Sequence, residues 1–199
     1  MSRLSQGITH KTATGIYGGS FNPIHNGHIA IARAMTDRAG LDEVWLMVSP
    51  QNPLKQTSGL LDERLRLEMA RRAVENVPSV SACDYEFHLP RPSYMWNTLQ
   101  SLSRDYPERD FSLLIGADNW QVFDRWYHAA DIIAHYPILI YPRRGYDIDS
   151  ASLPPTVRIV DTGLHDVSST MVREKIRNRA DVAGLIPNCI VDMAKQYYE

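Results

Sequence analysis

The sequence predicts an α/β protein built on a doubly wound parallel sheet. Along the chain, stretches with a helical apolar period alternate with short apolar runs that have the length of strands. Two of these runs, residues 43–50 and 111–118, are almost continuously apolar, which is typical of strands buried on both faces of a parallel sheet. Residues 15–35 read as strand, glycine turn and helix, a unit whose backbone N–H groups can cradle phosphate.

Length and composition indicate a single domain with balanced charge and no apolar run that would anchor it in a membrane. The chain has 199 residues and a net charge of −2, which suits one α/β domain and gives no basic field for nucleic acid. We assign residues 1–12 to a flexible tail and residues 13–199 to the domain. Cys83 and Cys189 make no disulfide framework, and no apolar run reaches the ~18–20 residues that span a bilayer. A cytoplasmic protein that binds neither membrane nor nucleic acid is therefore expected.

The first half of the chain is predicted to alternate three strands with three helices. Ile16 and Tyr17 end the first strand, and Gly40 is placed to stop the helix that follows it. The later elements are a strand over 43–50, a loop over 51–59, a helix from Leu61 through Leu65 and Met69 to about Asn76, a strand over 80–89, and a loop and helix over 91–107.

The second half of the chain continues the alternation. It opens with a buried strand that ends in Gly116 and Asp118, and the C-terminal third is predicted to be helical. Between these come short helices over 119–133, a strand over 136–144, a long surface loop over 143–155, and a last strand over 156–161.

The string GGSFNPIHNGH, residues 18–28, carries the most specific pattern of the chain. Its glycines allow a ligand to approach the backbone closely, and the helix that starts at its end favours an anion. His28 shares a helical face with Ile31 and Met35, so its ring should lie at the mouth of the sheet. From the residues alone, His25 and His28 could also be a metal half-site or a purely structural pair.

Polar side chains follow four of the predicted strands at their carboxyl ends. In order along the chain they are His25 and His28, Asn52 and Lys55, Asp118, and Arg143 with Arg144. Ligands of doubly wound sheets bind outside the carboxyl ends of the strands, near the point where the strand order reverses. We therefore expect these side chains to line one site.

Residues 166–177, DVSSTMVREKIR, form the second informative motif. One hydroxyl from Ser168, Ser169 or Thr170 is enough to cap the helix that follows, and no Glu or Gln completes a capping box. Arg173 lies near the start of that helix, where a cation opposes the helix dipole unless an anion binds beside it. Taken alone, the motif leaves two interpretations open, an ordinary N-cap and a phosphate site.

Together the two motifs resemble the signatures of the HxGH nucleotidyltransferases, which transfer AMP or CMP from a nucleoside triphosphate. HxGH stands at residues 25–28, and SSTMVR at residues 168–173 resembles SSTxxR. Other strings are similar to the bacterial nicotinate-nucleotide adenylyltransferase family, from about Gly15 to the C-terminus. They are NPLK at 52–55, PSYMWNTL at 92–99, IGADNW at 115–120 and RW at 125–126.

The resemblance implies a Rossmann-like fold of the nucleotidyltransferase type and adenylyl transfer from ATP to nicotinate mononucleotide in NAD biosynthesis. The implied catalytic residues are His25, His28, Lys55 and Arg173. The implied ATP-binding residues are Gly18, Gly19, Ser20, Phe21, Gly27, Gly116, Asp118, Ser168, Ser169 and Thr170. The implied residues for the nicotinate nucleotide are Asn52, Tyr94, Met95, Trp126 and Arg143. Mg²⁺ is expected on substrate phosphates, without protein ligands.

Some departures and alternatives accompany the resemblance. Met95 stands where the family usually has Thr, with Trp96 beside it, and Asn22 stands where Asp is frequent. The alternative functions are adenylyl transfer to nicotinamide mononucleotide or phosphopantetheine, cytidylyl transfer, and a non-catalytic nucleotide-sensing module. Phosphopantetheine enzymes usually carry Thr in place of His25, which argues against phosphopantetheine as the substrate. The two intact motifs argue against a non-catalytic module. The sequence leaves homo-oligomer formation open.

Overall fold

The protein is built on one open sheet of six parallel strands. The computed structural model describes residues 10–50 and 59–199. The strands are β1 Thr12–Gly19, β2 Glu43–Val48, β3 Val80–Cys83, β4 Arg109–Gly116, β5 Ile138–Tyr141 and β6 Val157–Ile159. Their order in the sheet is β3-β2-β1-β4-β5-β6, and every neighbouring pair is parallel. The order reverses between β1 and β4, so this gap is where a ligand is expected.

Alternate residues of the strands enter two hydrophobic cores, because successive side chains of a strand point to opposite faces. Leu113 and Ile115 of β4 belong to one core, and Leu114 between them belongs to the other. The helices are α1 Asn26–Ala39, α2 Glu63–Val74, α3 Met95–Asp105, α4 Ala117–Trp120, α5 Ala129–His135, α6 Ser169–Arg177 and α7 Val191–Tyr198. Buried residues of α1, α2, α6 and α7 fill the core with Leu114, and those of α3, α4 and α5 fill the other. The predicted fold class is confirmed.

Helix α1 follows the sequence prediction closely. Ile31 and Met35 are buried, and His28 at the head of the same face is half-buried. The helix ends at Gly40, whose φ of 70° lies in the left-handed region that glycine tolerates best. Thr12, the last residue of the predicted tail, is the first residue of β1, and residues 1–9 lie outside the described part of the chain.

Three predicted strands are shorter in the structure. The strand predicted over 80–89 ends at Cys83, and a 3₁₀ turn follows at Tyr85–His88. The turn directs Glu86 into the interior, where hydroxyl groups bind its carboxylate, so the chain cannot continue as a strand there. The other two, over 136–144 and 156–161, are limited to Ile138–Tyr141 and Val157–Ile159.

Helix α2 begins two residues after the predicted start, because Asp62 caps it. The Asp62 carboxylate accepts the backbone N–H groups of Arg64 and Leu65. Leu65 itself is only half-buried, whereas Arg66 is completely buried. Among the described residues, no helix combines the length and the apolar character needed to cross a membrane.

Candidate active site

The turn from β1 to α1 is held in shape by close packing. A Cβ atom on Gly18 would lie 2.9 Å from the Met95 methyl carbon, so a larger residue there would displace that methyl group. Phe21 has a φ of 44° and packs edge-on against Tyr17 and His28. Asn22 anchors the turn from outside, because its side-chain oxygen accepts a hydrogen bond from the Tyr198 hydroxyl at 2.7 Å. The turn therefore presents its backbone in a fixed conformation.

His25 and His28 lie stacked at the start of α1. Their ring centroids are 3.5 Å apart, with an angle of 19° between the ring planes. The backbone N–H of His25 donates to Nδ1 of His28 at 3.2 Å, so Nδ1 carries no proton and the ring N–H is at Nε2. Burial, together with the charges of Arg143 and His165, lowers the pKa of His25 from 6.5 to about 3. His25 is therefore neutral at pH 7.

The SSTMVR motif connects α6 to the turn between β1 and α1. Ser168 is the N-cap, since its Oγ accepts the backbone N–H of Met171 at 3.1 Å. Ser169 Oγ donates to the carbonyl oxygen of Pro23 at 2.8 Å. Arg173 donates to the carbonyl oxygen of Asn22 at 2.7 Å and to Thr170 Oγ1 at 3.2 Å. All three hydroxyl groups of the motif thus have protein partners in this structure.

Asp118 and Arg143 meet at the carboxyl ends of β4 and β5. Asp118 Oδ1 lies 3.7 Å from Arg143 Nε, which is an ion pair but too long for a hydrogen bond. The Arg143 guanidinium lies over the ring of Tyr141, 5.2 Å from the ring centroid. A Cβ atom on Gly116 would collide with the Asp118 carboxylate, so a larger residue here would displace that side chain. Arg144, in contrast, is exposed and pairs with Asp166 at 2.7 Å.

Polar atoms without partners concentrate at this edge of the sheet. Six buried side-chain nitrogen or oxygen atoms of the described residues have no hydrogen bond. Five belong to this region, namely Tyr17 Oη, His25 Nδ1, Asp118 Oδ1, Trp126 Nε1 and Arg143 Nε. Buried polar groups are nearly always paired in folded proteins, so such a concentration indicates a site shaped for a polar ligand. The sixth, Arg109 Nε, lies at the amino-terminal end of β4.

A cavity of about 420 Å³ opens between β1 and β4, at the predicted switch point. It is bounded by Gly18, Gly19 and Ser20, by the start of α3, and by residues 118–127. Tyr94, Met95 and Trp126, which the sequence predicts at the nicotinate nucleotide, all line it. The volume lies within the range of ligand pockets, roughly 300–1,000 Å³.

Some predicted site residues lie elsewhere. Arg143 does not line the cavity and instead packs beside it on Asp118 and Tyr141. Asn52 and Lys55 fall in residues 51–58, outside the described part of the chain, so their predicted roles stay predictions.

Glu86 is a cavity residue that the sequence analysis did not identify. It is 2% exposed, and its carboxylate accepts hydrogen bonds from Ser49, Ser93 and Thr98 at 2.9–3.1 Å. Burial raises the pKa of Glu86, and these hydroxyl groups oppose that shift. The carboxylate fixes the segment before α3 to the end of β2, both of which border the cavity. No local signal marks this residue, because its partners come from separate segments.

Arg66 is the second charged residue that only the structure reveals. It is fully buried and donates to four carbonyl oxygens. These carbonyls belong to Ser20 in the turn after β1, to Ser49 and Pro50 after β2, and to Leu61 before α2. Arg66 thus ties together three segments that meet beside the cleft.

No three His, Cys, Asp or Glu residues of the described segments are grouped in a way that could hold a metal ion. The two carboxylates at the cavity are already engaged, Glu86 by hydroxyl groups and Asp118 by Arg143. The donor set found here therefore fits a metal that is carried by substrate phosphates better than one held by the protein.

Fold and site together define a nucleotide-binding α/β protein with its phosphate motif at the switch point of a doubly wound sheet. The model of the cytidylyltransferase-like family matches residues 16–175. A protein of Bacteroides fragilis, named a probable nicotinate-nucleotide adenylyltransferase, is 48% identical over 172 residues, which is 86% of each chain. A protein of the same name from Flavobacterium johnsoniae is 38% identical over 175 residues, covering 87% of this chain and 91% of the other.

The chain therefore belongs to the nicotinate-nucleotide adenylyltransferases, within the cytidylyltransferase-like family. Among solved structures, the nicotinic acid mononucleotide adenylyltransferase of Plasmodium falciparum, complexed with NaAD, has the same fold. It gives a TM-score of 0.75 over 94% of each chain at 18% identity. The resemblance drawn from the two motifs is confirmed.

Proposed function

We propose that this nucleotidyltransferase condenses ATP with nicotinate mononucleotide, giving nicotinate adenine dinucleotide and pyrophosphate in NAD biosynthesis. One observation carries the proposal. The stacked pair of His25 and His28 lies at the N-terminus of α1, beside a cleft whose buried polar atoms lack partners among the described residues. Names of relatives that are up to 48% identical support the choice of substrates.

The histidines act as neutral hydrogen-bond donors in this proposal. His28 has its proton on Nε2, because Nδ1 accepts the His25 backbone N–H. We assign this N–H to the α-phosphate region of ATP, where charge develops as the bond to the leaving group lengthens. His25 stays neutral at pH 7 because burial lowers its pKa to about 3. Its unpaired Nδ1 is assigned to the triphosphate or to water bound with it.

The reaction itself requires no general base. The 5′-phosphate of the mononucleotide is already an anion, and one of its oxygens attacks the α-phosphorus of ATP in line. The bond from that phosphorus to the α–β bridging oxygen breaks, and pyrophosphate leaves with the electron pair. The protein contributes positioning and charge stabilisation.

Arg173 is assigned to the pyrophosphate side of ATP. Two of its five N–H donors hold Asn22 and Thr170, which orients the guanidinium and leaves the other donors for an anion. Lys55 is also assigned to the negative charge of the pyrophosphate, and this assignment rests on the family resemblance alone. Magnesium bound to the triphosphate would supply further neutralisation of the phosphate charge, beside Arg173 and Lys55.

The remaining site assignments follow the cavity. Tyr94, Met95 and Trp126 are proposed to border the nicotinate ring, and Asp118 is proposed to contact a ribose. Arg143 is proposed to act through Asp118, with which it forms an ion pair. The glycines at 18, 19 and 27 allow the backbone to approach the phosphates.

Pyrophosphate release with ATP and each candidate mononucleotide tests the proposal. Rapid release with nicotinate mononucleotide, and formation of the dinucleotide in equal amount, is the expected result. Faster release with the nicotinamide form would assign the enzyme to the amide substrate. The absence of release with every mononucleotide, or turnover with CTP alone, would refute adenylyl transfer.

A further inference from the structure

Arg125 lines the cavity, and neither the motifs nor the relatives give it a role. It ends the 3₁₀ turn Phe123–Arg125, which leads directly into Trp126. Phe123 is 2% exposed and packs between Trp120 and Trp126, with ring centroids 5.3 Å and 5.0 Å away. This aromatic packing holds the turn against the cleft, so the base of the Arg125 side chain has a fixed position.

The charges around the cavity are unbalanced without this residue. Among the described residues that line it, Arg125 is the only cation, whereas Glu86 and Asp118 are both acidic. Glu86 is bonded by hydroxyl groups, and Asp118 pairs with Arg143 outside the cavity. The Arg125 side chain is exposed and forms no ion pair or hydrogen bond with another described residue, whereas its backbone N–H donates to the carbonyl oxygen of Val122. Its guanidinium is therefore free to bind an anion in the cavity.

The place of Arg125 points to one end of the mononucleotide. It precedes Trp126, which is assigned to the nicotinate ring, while the phosphate-binding histidines belong to the turn after β1. An anionic ring substituent is stabilised where a cation stands beside it. The acid and amide forms of the nucleotide differ at the ring substituent by one negative charge. A cation at this point therefore lets the enzyme discriminate between the two forms.

We propose that Arg125 is a specificity-determining residue that pairs with the ring carboxylate of nicotinate mononucleotide. This inference rests on the proposed function. A guanidinium can bind a carboxylate through two parallel N–H bonds, an arrangement that neither a carboxamide nor a lysine reproduces. Arg125 thus favours the acid substrate, in addition to any backbone donors near Tyr94 and Met95.

The test compares kcat/KM for the acid and amide mononucleotides in wild type, Arg125→Gln and Arg125→Lys. Arg125→Gln should lower kcat/KM for the acid by about tenfold, since hydrogen bonds to charged groups are the stronger class. The value for the amide should change less than about twofold, and Arg125→Lys should fall between wild type and Arg125→Gln. Arg104→Gln, an exposed arginine on α3 paired with Asp105, is the matched control and should leave both values unchanged.

Each other outcome overturns the inference in a distinct way. Equal losses for both substrates would place Arg125 on the shared 5′-phosphate. Unchanged kcat/KM values for both substrates would show that the Arg125 side chain points into solvent and does not contact the substrate. Binding is measured in parallel through the fluorescence of the cavity tryptophan, Trp126. If the wild-type protein neither binds nor converts either mononucleotide, the proposed function is wrong and the role of Arg125 is wrong with it. If only the Arg125 inference is wrong, the wild-type protein still turns over its substrate.

Discussion

His28 can donate into the cleft through only one ring nitrogen, because the other accepts the backbone N–H of His25. This bond fixes both the tautomer and the orientation of the ring. His25, stacked against it, is kept neutral by burial. At the scale of single residues, the site therefore depends on hydrogen-bond donors that are oriented before the substrate binds, and much less on positive charge from the histidines.

His28→Ala should lower kcat by ~10²–10³-fold, the range found when one preorganised donor to a transition state is removed. The stability cost should be limited to about 1 kcal/mol, because the His25 N–H loses a capping acceptor. Steady-state kinetics and urea unfolding measure the two effects. His10→Ala, an exposed histidine before β1, is the control. A kcat near that of wild type in His28→Ala would falsify the role.

His25 should make the protein less stable as the pH falls from about 6.5 toward about 3. In this window the unfolded chain binds a proton at His25 that the folded state excludes, so lowering the pH favours unfolding. The full effect is up to roughly 5 kcal/mol, at about 1.4 kcal/mol per pKa unit. Urea unfolding of wild type and His25→Gln at several pH values isolates it. The free-energy difference between the two proteins should shrink as the pH falls, and a constant difference would contradict the assignment.

At the scale of elements, the site is formed where helices are fastened to the turn after β1. Arg173 and Ser169 connect α6 to this turn through the carbonyls of Asn22 and Pro23. Arg66 connects α2 to the same turn through the carbonyl of Ser20. Because these contacts are hydrogen bonds to backbone oxygens, they fix where the main-chain N–H groups point.

Arg173→Lys should remain impaired although it keeps the positive charge, because one ammonium group cannot hold both Asn22 and Thr170 and also bind phosphate. The affinity for ATP should fall more than that for AMP, since the lost contacts lie on the pyrophosphate side. Isothermal titration of both nucleotides with the Lys and Ala variants measures this. Arg177→Lys, an exposed arginine on the same helix, serves as control. Equal weakening of ATP and AMP, or none, would show that the placement is wrong.

Arg66→Met should lower the free energy of unfolding by at least about 2 kcal/mol. The substitution leaves buried carbonyl oxygens without a hydrogen-bond donor, and each such unsatisfied group costs about 1–3 kcal/mol. Arg64→Met, an exposed residue of the same helix, should stay within about 0.5 kcal/mol of wild type. Urea denaturation of the three proteins makes the comparison. Similar losses in both variants would mean that the carbonyl contacts of Arg66 contribute little.

At the scale of the whole molecule, the doubly wound sheet brings the two phosphate motifs together although well over a hundred residues separate them. The HxGH residues follow β1, and SSTMVR follows β6 at the far edge of the sheet. Helix α6 returns across one face to reach the turn after β1. The residues proposed to bind substrate thus come from both halves of the chain, and in the proposed function phosphate groups bridge them.

Turnover should require Mg²⁺, yet the nucleotide-free protein should bind no metal tightly. The reason is that the described residues offer no cluster of metal ligands, so the ion is expected on the triphosphate. Activity measured with and without chelator gives the first half of the prediction, and calorimetry of the nucleotide-free protein gives the second. A stoichiometric Zn²⁺ or Mg²⁺ site of micromolar affinity would instead support a metal role for His25 and His28.

The sequence by itself determined what depends on local patterns. The apolar periods predicted the parallel sheet and the order of its helices and strands, and Gly40 marked the end of α1. The HxGH and SSTxxR strings indicated the reaction type, and the strings between them indicated the nicotinate branch, because the residues of each string are neighbours in the chain. These features can be recognised from the sequence alone, because the interactions that produce them involve residues only a few positions apart in the chain.

Only the tertiary structure decided which distant groups meet. Glu86 lay within a predicted strand, yet a turn directs it to hydroxyl groups of three other segments. Arg66 fell within a predicted helix, and only the structure shows that it donates to four carbonyl oxygens from separate segments. Arg125 belonged to a family string without an assigned role, and only the structure shows it as a cation lining the cavity together with two carboxylates. Buried charges are stable only where such partners converge, and that convergence is a property of the folded chain.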